Sequence, residues 1–151
     1  MILFYFFFII IILILIYLSF NYFSKQTIYI EGEKYKVYRF KKDKIKVAKV
    51  FNDLDNRVLK FLKYLKNNKN NYVAESSIHK LLNNYDPGSL VEGNSTYTIN
   101  KGKKISICAR DQNKQIYDNE ILMFVLLHEM SHIAIKEREH PPIFGKHLKK
   151  F

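Results

Sequence analysis

The residues best placed to do chemistry are His128, Glu129 and His132, in the run His128-Glu129-Met130-Ser131-His132. On a helix, positions four apart differ by roughly 40° and sit one turn from each other, so both imidazoles can reach a single ion. Glu129 stands about 100° from His128, near enough to approach a water on that ion without being forced to bind it. The chemistry this spacing suits is hydrolysis at Zn2+. The metal lowers the pKa of a water to about 7, and Glu129 takes its proton during attack on a peptide carbonyl and then hands it to the leaving amine. The competing reading is a helix whose two histidines bond only to backbone. It is the weaker one, because Ile121 to Leu127 just upstream is continuously apolar, and polar groups on a buried helix are costly unless partnered.

A catalytic zinc takes a third protein ligand and keeps an open position. After His132 the ligand-type residues are Glu137, Glu139, His140 and His147. In a continuing helix Glu137 would point about 180° from His128, and Glu139 would face the right way but lie too far along the axis. Pro141-Pro142 stops regular helix, so the chain must turn back. His140 at that turn is the first choice. His147, Glu139 and a ligand from upstream stay open. A metzincin pattern is a poor fit, since Ile135 and Arg138 occupy its Gly and His positions.

The elements that would position this site read as α+β. Asp118 caps a helix from about residue 119 to 136, expected to be buried on nearly every side. Tyr97 to Ile99 and Ile105 to Arg110 read as strands around the turn Asn100-Lys101-Gly102-Lys103, with Cys108 as a small buried apolar side chain. Val47, Val50, Phe51, Leu54, Val58, Phe61, Leu62 and Leu65 recur at helical spacing behind an N-cap at Asp43. Lys66 to Asn71 is a polar loop. Ser76 to Asn84 predicts a short helix capped by Ser76 or Ser77, with His79 exposed, and Asp86-Pro87-Gly88 is a turn. Thr27 to Ile30 and Tyr35 to Phe40 predict a hairpin around Glu31-Gly32-Glu33-Lys34.

Ile2 to Phe20 has no charge, Gly or Pro, and 19 residues of helix cover roughly 28 Å. It predicts a retained transmembrane helix in the lipid bilayer, because a signal peptide would want basic residues before it and a small-residue cleavage site. Every charged side chain follows it, with Lys25, Lys34, Lys36, Arg39, Lys41 and Lys42 close behind. The positive-inside rule then makes a single-pass membrane protein with a cytosolic C-terminal domain, against which only the sequon Asn94-Ser95-Thr96 argues. The organisation expected is an anchor over 1–20, a basic hairpin segment over 21–42 and one domain over 43–151. The one cysteine excludes an intramolecular disulfide. The net charge of +11 comes from 25 basic residues of which only Arg39, Arg57, Arg110 and Arg138 are arginines. No basic block carries the aromatic interleaving of a nucleic-acid module, so nucleic acid is not an expected partner.

Asn100-Lys101-Gly102, the run Ile105-Ser106-Ile107-Cys108-Ala109-Arg110, the helical Val125-Leu126-Leu127-His128-Glu129-Met130-Ser131-His132 and the later His140-Pro141-Pro142-Ile143-Phe144 together carry a resemblance. They resemble the small zinc metallopeptidases of large DNA viruses, which are similar to the WLM and SprT-like peptidases. Members commonly have Gly where this sequence has Glu139. The resemblance implies a zincin-like α+β domain, with His128, His132 and His140 binding zinc and Glu129 as catalytic base. It also implies that a strand before the active helix, matched here by Ile105 to Cys108, pairs with an extended protein or peptide substrate.

Overall fold

The computed structural model describes residues 2–68 and 75–134, without the side chains of 2–3 and 21–23. Chain order is α1 (Ile2–Phe23), β1 (Lys25–Ile30), β2 (Glu33–Tyr38), α2 (Lys44–Asn67), α3 (Glu75–Asn84), β3 (Leu90–Glu92), β4 (Tyr97–Ile99), β5 (Lys104–Ile107) and α4 (Asn119–Ala134). The strands form one sheet in the order β1-β2-β3-β5-β4. β3 pairs parallel with β2 and β5, and the hairpins β1–β2 and β4–β5 close the two ends.

The membrane anchor is overturned: among the described residues no helix is long and apolar enough to cross a membrane. The single-pass topology and the cytosolic orientation that charge asymmetry gave the domain fall with the anchor. The α+β character stands.

The first hairpin is tighter than its sequence suggested. Glu31 and Gly32 alone make the turn, both with positive φ (51° and 91°), and Glu33 and Lys34 already belong to β2. Two left-handed residues give a connection whose twist matches that of the flanking strands. The hairpin lies in the same sheet as the rest of the strands. β3 was not foreseen, since three residues are too few to show a period of two. β5 ends at Ile107 rather than Arg110, because the chain there leaves the sheet and Tyr117 N–H donates to Ala109 O.

α2 follows its periodicity: Val47, Phe51, Leu54, Val58, Leu62 and Leu65 are buried. All of these but Leu65 meet Tyr35 and Val37 of β2, Leu90 of β3, Ile105 and Ile107 of β5, and Leu122, Leu126 and Met130 of α4 in one core. Asp43 precedes α2 and its carbonyl accepts from Val47 N–H, but its side chain makes no capping hydrogen bond. Its carboxylate is taken instead by Arg110, whose Nη1 donates to both oxygens at 2.7 and 2.6 Å while Nε donates to Glu92 at 2.6 Å. These bonds hold Asp43 below its ordinary carboxylate range against the opposing effect of burial. Ser76 and Ser77 lie inside the first turn of α3, which starts at Glu75, and His79 is exposed beside Glu75.

A second polar pin sits inside the core. Asp55 of α2 is 1% exposed. It accepts hydrogen bonds from the Tyr35 hydroxyl of β2 (2.7 Å), from the Tyr85 hydroxyl just after α3, and from the N–H of Gly88 (2.8 Å) in the turn that leads to β3. Burial pushes the Asp55 carboxyl above its usual range, more than these three donors pull it down. Burial and the facing Asp55 likewise raise Tyr35 and Tyr85.

Candidate functional site

α4 begins after Asp118, whose backbone carbonyl accepts from Leu122 N–H at 3.1 Å. Its buried residues are Leu122, Leu126, Glu129, Met130, Ser131, Ile133 and Ala134, most of them spaced by three and four residues as a core-facing stripe requires. The opposite face is more open than the apolar run suggested, with Ile121 48% and Phe124 64% exposed. His128 and His132 fall at the border between the two faces and are half-buried, while Glu129 points inward. An ion held at that border would be reachable from outside, which full burial of the helix would have prevented.

The three side chains come together. One potential ligand atom each from His128, Glu129 and His132 lies within 4.8 Å of the others. The two rings are 5.1 Å apart between centroids and nearly perpendicular, at 80°. Two imidazoles and a carboxylate are a donor set suited to zinc, so the residues present fit the metal to the extent of two histidine ligands and one acidic group. His140, His147 and Glu139 lie outside the described residues, and the third-ligand expectation falls there.

Glu129 is fixed by a residue that the sequence did not announce. The hydroxyl of Thr98 on β4 donates to Glu129 Oε2 at 2.8 Å. Ser131 Oγ donates to His128 O at 2.6 Å and so stays within its own helix. The 31-residue separation between Thr98 and Glu129 explains why no motif flagged it. The turn after β4 also abuts α4: Asn100, Lys101 and Gly102 all have positive φ, and a Cβ on Gly102 would come within 2.6 Å of Ile133. Only glycine leaves room there for the end of α4.

β5 does not offer the edge that the resemblance assigned to Ile105–Cys108. It is flanked by β3 on one side and β4 on the other. The edge belongs to β4. Ile105 N–H donates to Ser89 O at 3.2 Å, so the Ile105 backbone faces β3. Facing alternates along a strand, and Thr98 is the residue paired with Ile105. The N–H and C=O of Thr98 therefore point away from β5, where no described strand pairs with them. Cys108 is half-buried rather than buried, and its thiol donates to Arg110 O. A concavity of about 330 Å³ lies beside it, bounded by Tyr38, Glu92, Arg110 and Tyr117, and does not include the histidines.

No protein-family model matches the sequence, and no solved structure matches the chain. The chain is 29% identical over 111 residues to uncharacterized protein R325 of Acanthamoeba polyphaga mimivirus, covering 69% of this chain and 56% of that one. It is 41% identical over 65 residues to uncharacterized protein 042R of Invertebrate iridescent virus 3, covering 42% of this chain and 40% of that one. The chain thus spans about half the length, or less, of these curated relatives.

Proposed function

We propose that this chain is a zinc-dependent peptidase of the zincin kind, similar to the small metallopeptidases of large DNA viruses and to the WLM and SprT-like groups. The observation that carries the reading is the convergence of His128, Glu129 and His132 within 4.8 Å on a helix whose carboxylate is tied to an edge strand. The viral origin of both relatives agrees with the resemblance and says nothing of activity.

Zinc, when bound, supplies a Lewis acid and a water whose pKa falls to about 7. His128 and His132 would hold the metal through imidazole nitrogens. Glu129, with Oε2 held by Thr98, would be the group that accepts a proton during attack and returns it to the leaving amine. The outward backbone of β4 aligns an extended protein or peptide main chain beside that carboxylate. One observation favours a second reading, a zinc protein without catalysis: Glu129 lies close enough to the imidazoles to serve as a ligand itself.

The test is metal analysis of the chain purified without chelators, followed by a peptidase assay on unstructured protein and peptide pools. One zinc per chain, lost in His132→Ala, with hydrolysis that disappears in zinc-loaded Glu129→Gln, is the expected result. Zinc bound without hydrolysis leaves the non-catalytic reading. A folded protein that holds no zinc overturns both.

A further inference from the structure

We propose that Thr98 is a positioning residue for Glu129, and that through it a single edge-strand residue both orients the carboxylate and meets the incoming main chain. This rests on the peptidase reading of the His128–His132 site. Three observations carry it. The Thr98 hydroxyl donates to Glu129 Oε2 at 2.8 Å. Glu129 is 8% exposed, so water competes little for that bond. The backbone N–H and C=O of the same residue face the open side of the sheet, as the Ile105–Ser89 hydrogen bond fixes.

The physical consequence concerns rotamers. A glutamate has three side-chain torsions, and a helix restricts the first of them most. An anchored Oε2 limits the remaining freedom of the carboxylate. Thr98 occupies the middle of a three-residue strand. A peptide pairing with that strand braces Thr98 from outside and stiffens the hydroxyl that holds the base. Binding of the main chain and readiness of the carboxylate are then coupled through one residue, with no moving loop required.

The test compares Thr98→Val, which keeps the shape and removes the hydroxyl, with Thr98→Ser, which keeps the hydroxyl. Both are made in the full chain. Zinc content, kcat and KM are measured on a peptide that the wild type cleaves. The expected result is a loss of roughly 10- to 100-fold in kcat for Thr98→Val, the worth of one hydrogen bond to a charged group. KM stays within about twofold, zinc is retained, and Thr98→Ser recovers most of the rate. A residue that merely supported the fold would lower thermal stability or zinc content and would spare the kcat of the folded fraction. Wild-type kcat in Thr98→Val overturns the proposal.

A second measurement decides the case if the wild type cleaves nothing and the peptidase reading itself fails. Urea midpoints of Thr98→Val, Glu129→Ala and the double variant form a cycle in metal-free protein. Non-additive midpoints keep Thr98 as the partner that positions Glu129 at whatever site this is. Additive midpoints overturn the inference.

Discussion

Asp55 and Glu129 are both carboxylates turned into the core from helices, yet the chain holds them in opposite ways. Asp55 receives two phenolic hydroxyls and a backbone N–H drawn from three other parts of the chain. Glu129 receives one hydroxyl on one oxygen, beside two half-buried imidazoles. Asp55 is a fastener: its oxygens are occupied, and the groups around it are parts of the fold rather than of a cleft. Glu129 sits at the border of the core, within reach of two imidazoles. A buried carboxylate therefore says little about function by itself. What surrounds it, parts of the fold at Asp55 and metal-capable imidazoles at Glu129, is what distinguishes the two.

Breaking the two carboxylates in turn should separate them most clearly. Glu129→Gln is expected to lower peptidase activity by about 10²- to 10⁴-fold, the usual worth of a general base, while urea denaturation shows the fold little changed. Asp55→Ala is expected to do the reverse. It strands the Tyr85 hydroxyl and the Gly88 N–H and leaves Tyr35 only the longer bond to Asn52, which costs about 3 kcal/mol of stability, and zinc binding by the protein that remains folded is unaltered. If Asp55→Ala instead removes zinc without unfolding the chain, the two regions are not separate.

Gly88→Ala sharpens the same contrast with a smaller effect. Gly88 donates to Asp55 and has a φ of 73°, and a Cβ there would meet the Lys34 backbone at 3.2 Å. The left-handed conformation alone costs a residue with a side chain roughly 1–2 kcal/mol. The expected result is a lower thermal midpoint with activity per folded molecule retained.

The smallest effect expected is one of pH, and its sign differs between two carboxylates. Burial holds the Asp55 pKa above its unfolded value of about 3.9. Its contribution to stability is full below that value and is lost as pH rises through the folded pKa. Asp43 is held below its unfolded value, first by its hydrogen bonds to Arg110. Its contribution is present above about pH 3.9 and is lost as pH falls through the folded pKa. Urea unfolding across pH should therefore show Asp55→Asn flattening the decline above pH 4 and Asp43→Asn flattening the loss in acid. The same slope in both variants would contradict this assignment.

Much of this was readable before any coordinates. The spacing of His128, Glu129 and His132 places them together on any helix, because helical geometry is local. The long apolar periodicity of α2 and the turn residues Gly32, Gly88 and Gly102 declared themselves for the same reason. The short β3 did not, since a three-residue strand is made by its neighbours rather than by its own pattern. Asp43 looked like a cap until Arg110, 67 residues away, claimed its carboxylate. The apolar run of α1 suggested a bilayer span, which the described helices do not provide. What the sequence determined by itself was the set of groups that could bind a metal and move a proton. Which oxygen of Glu129 is held, which face of α4 stays open and which strand forms the edge were decided only by tertiary structure, because each depends on residues distant in sequence brought together by burial of a shared core.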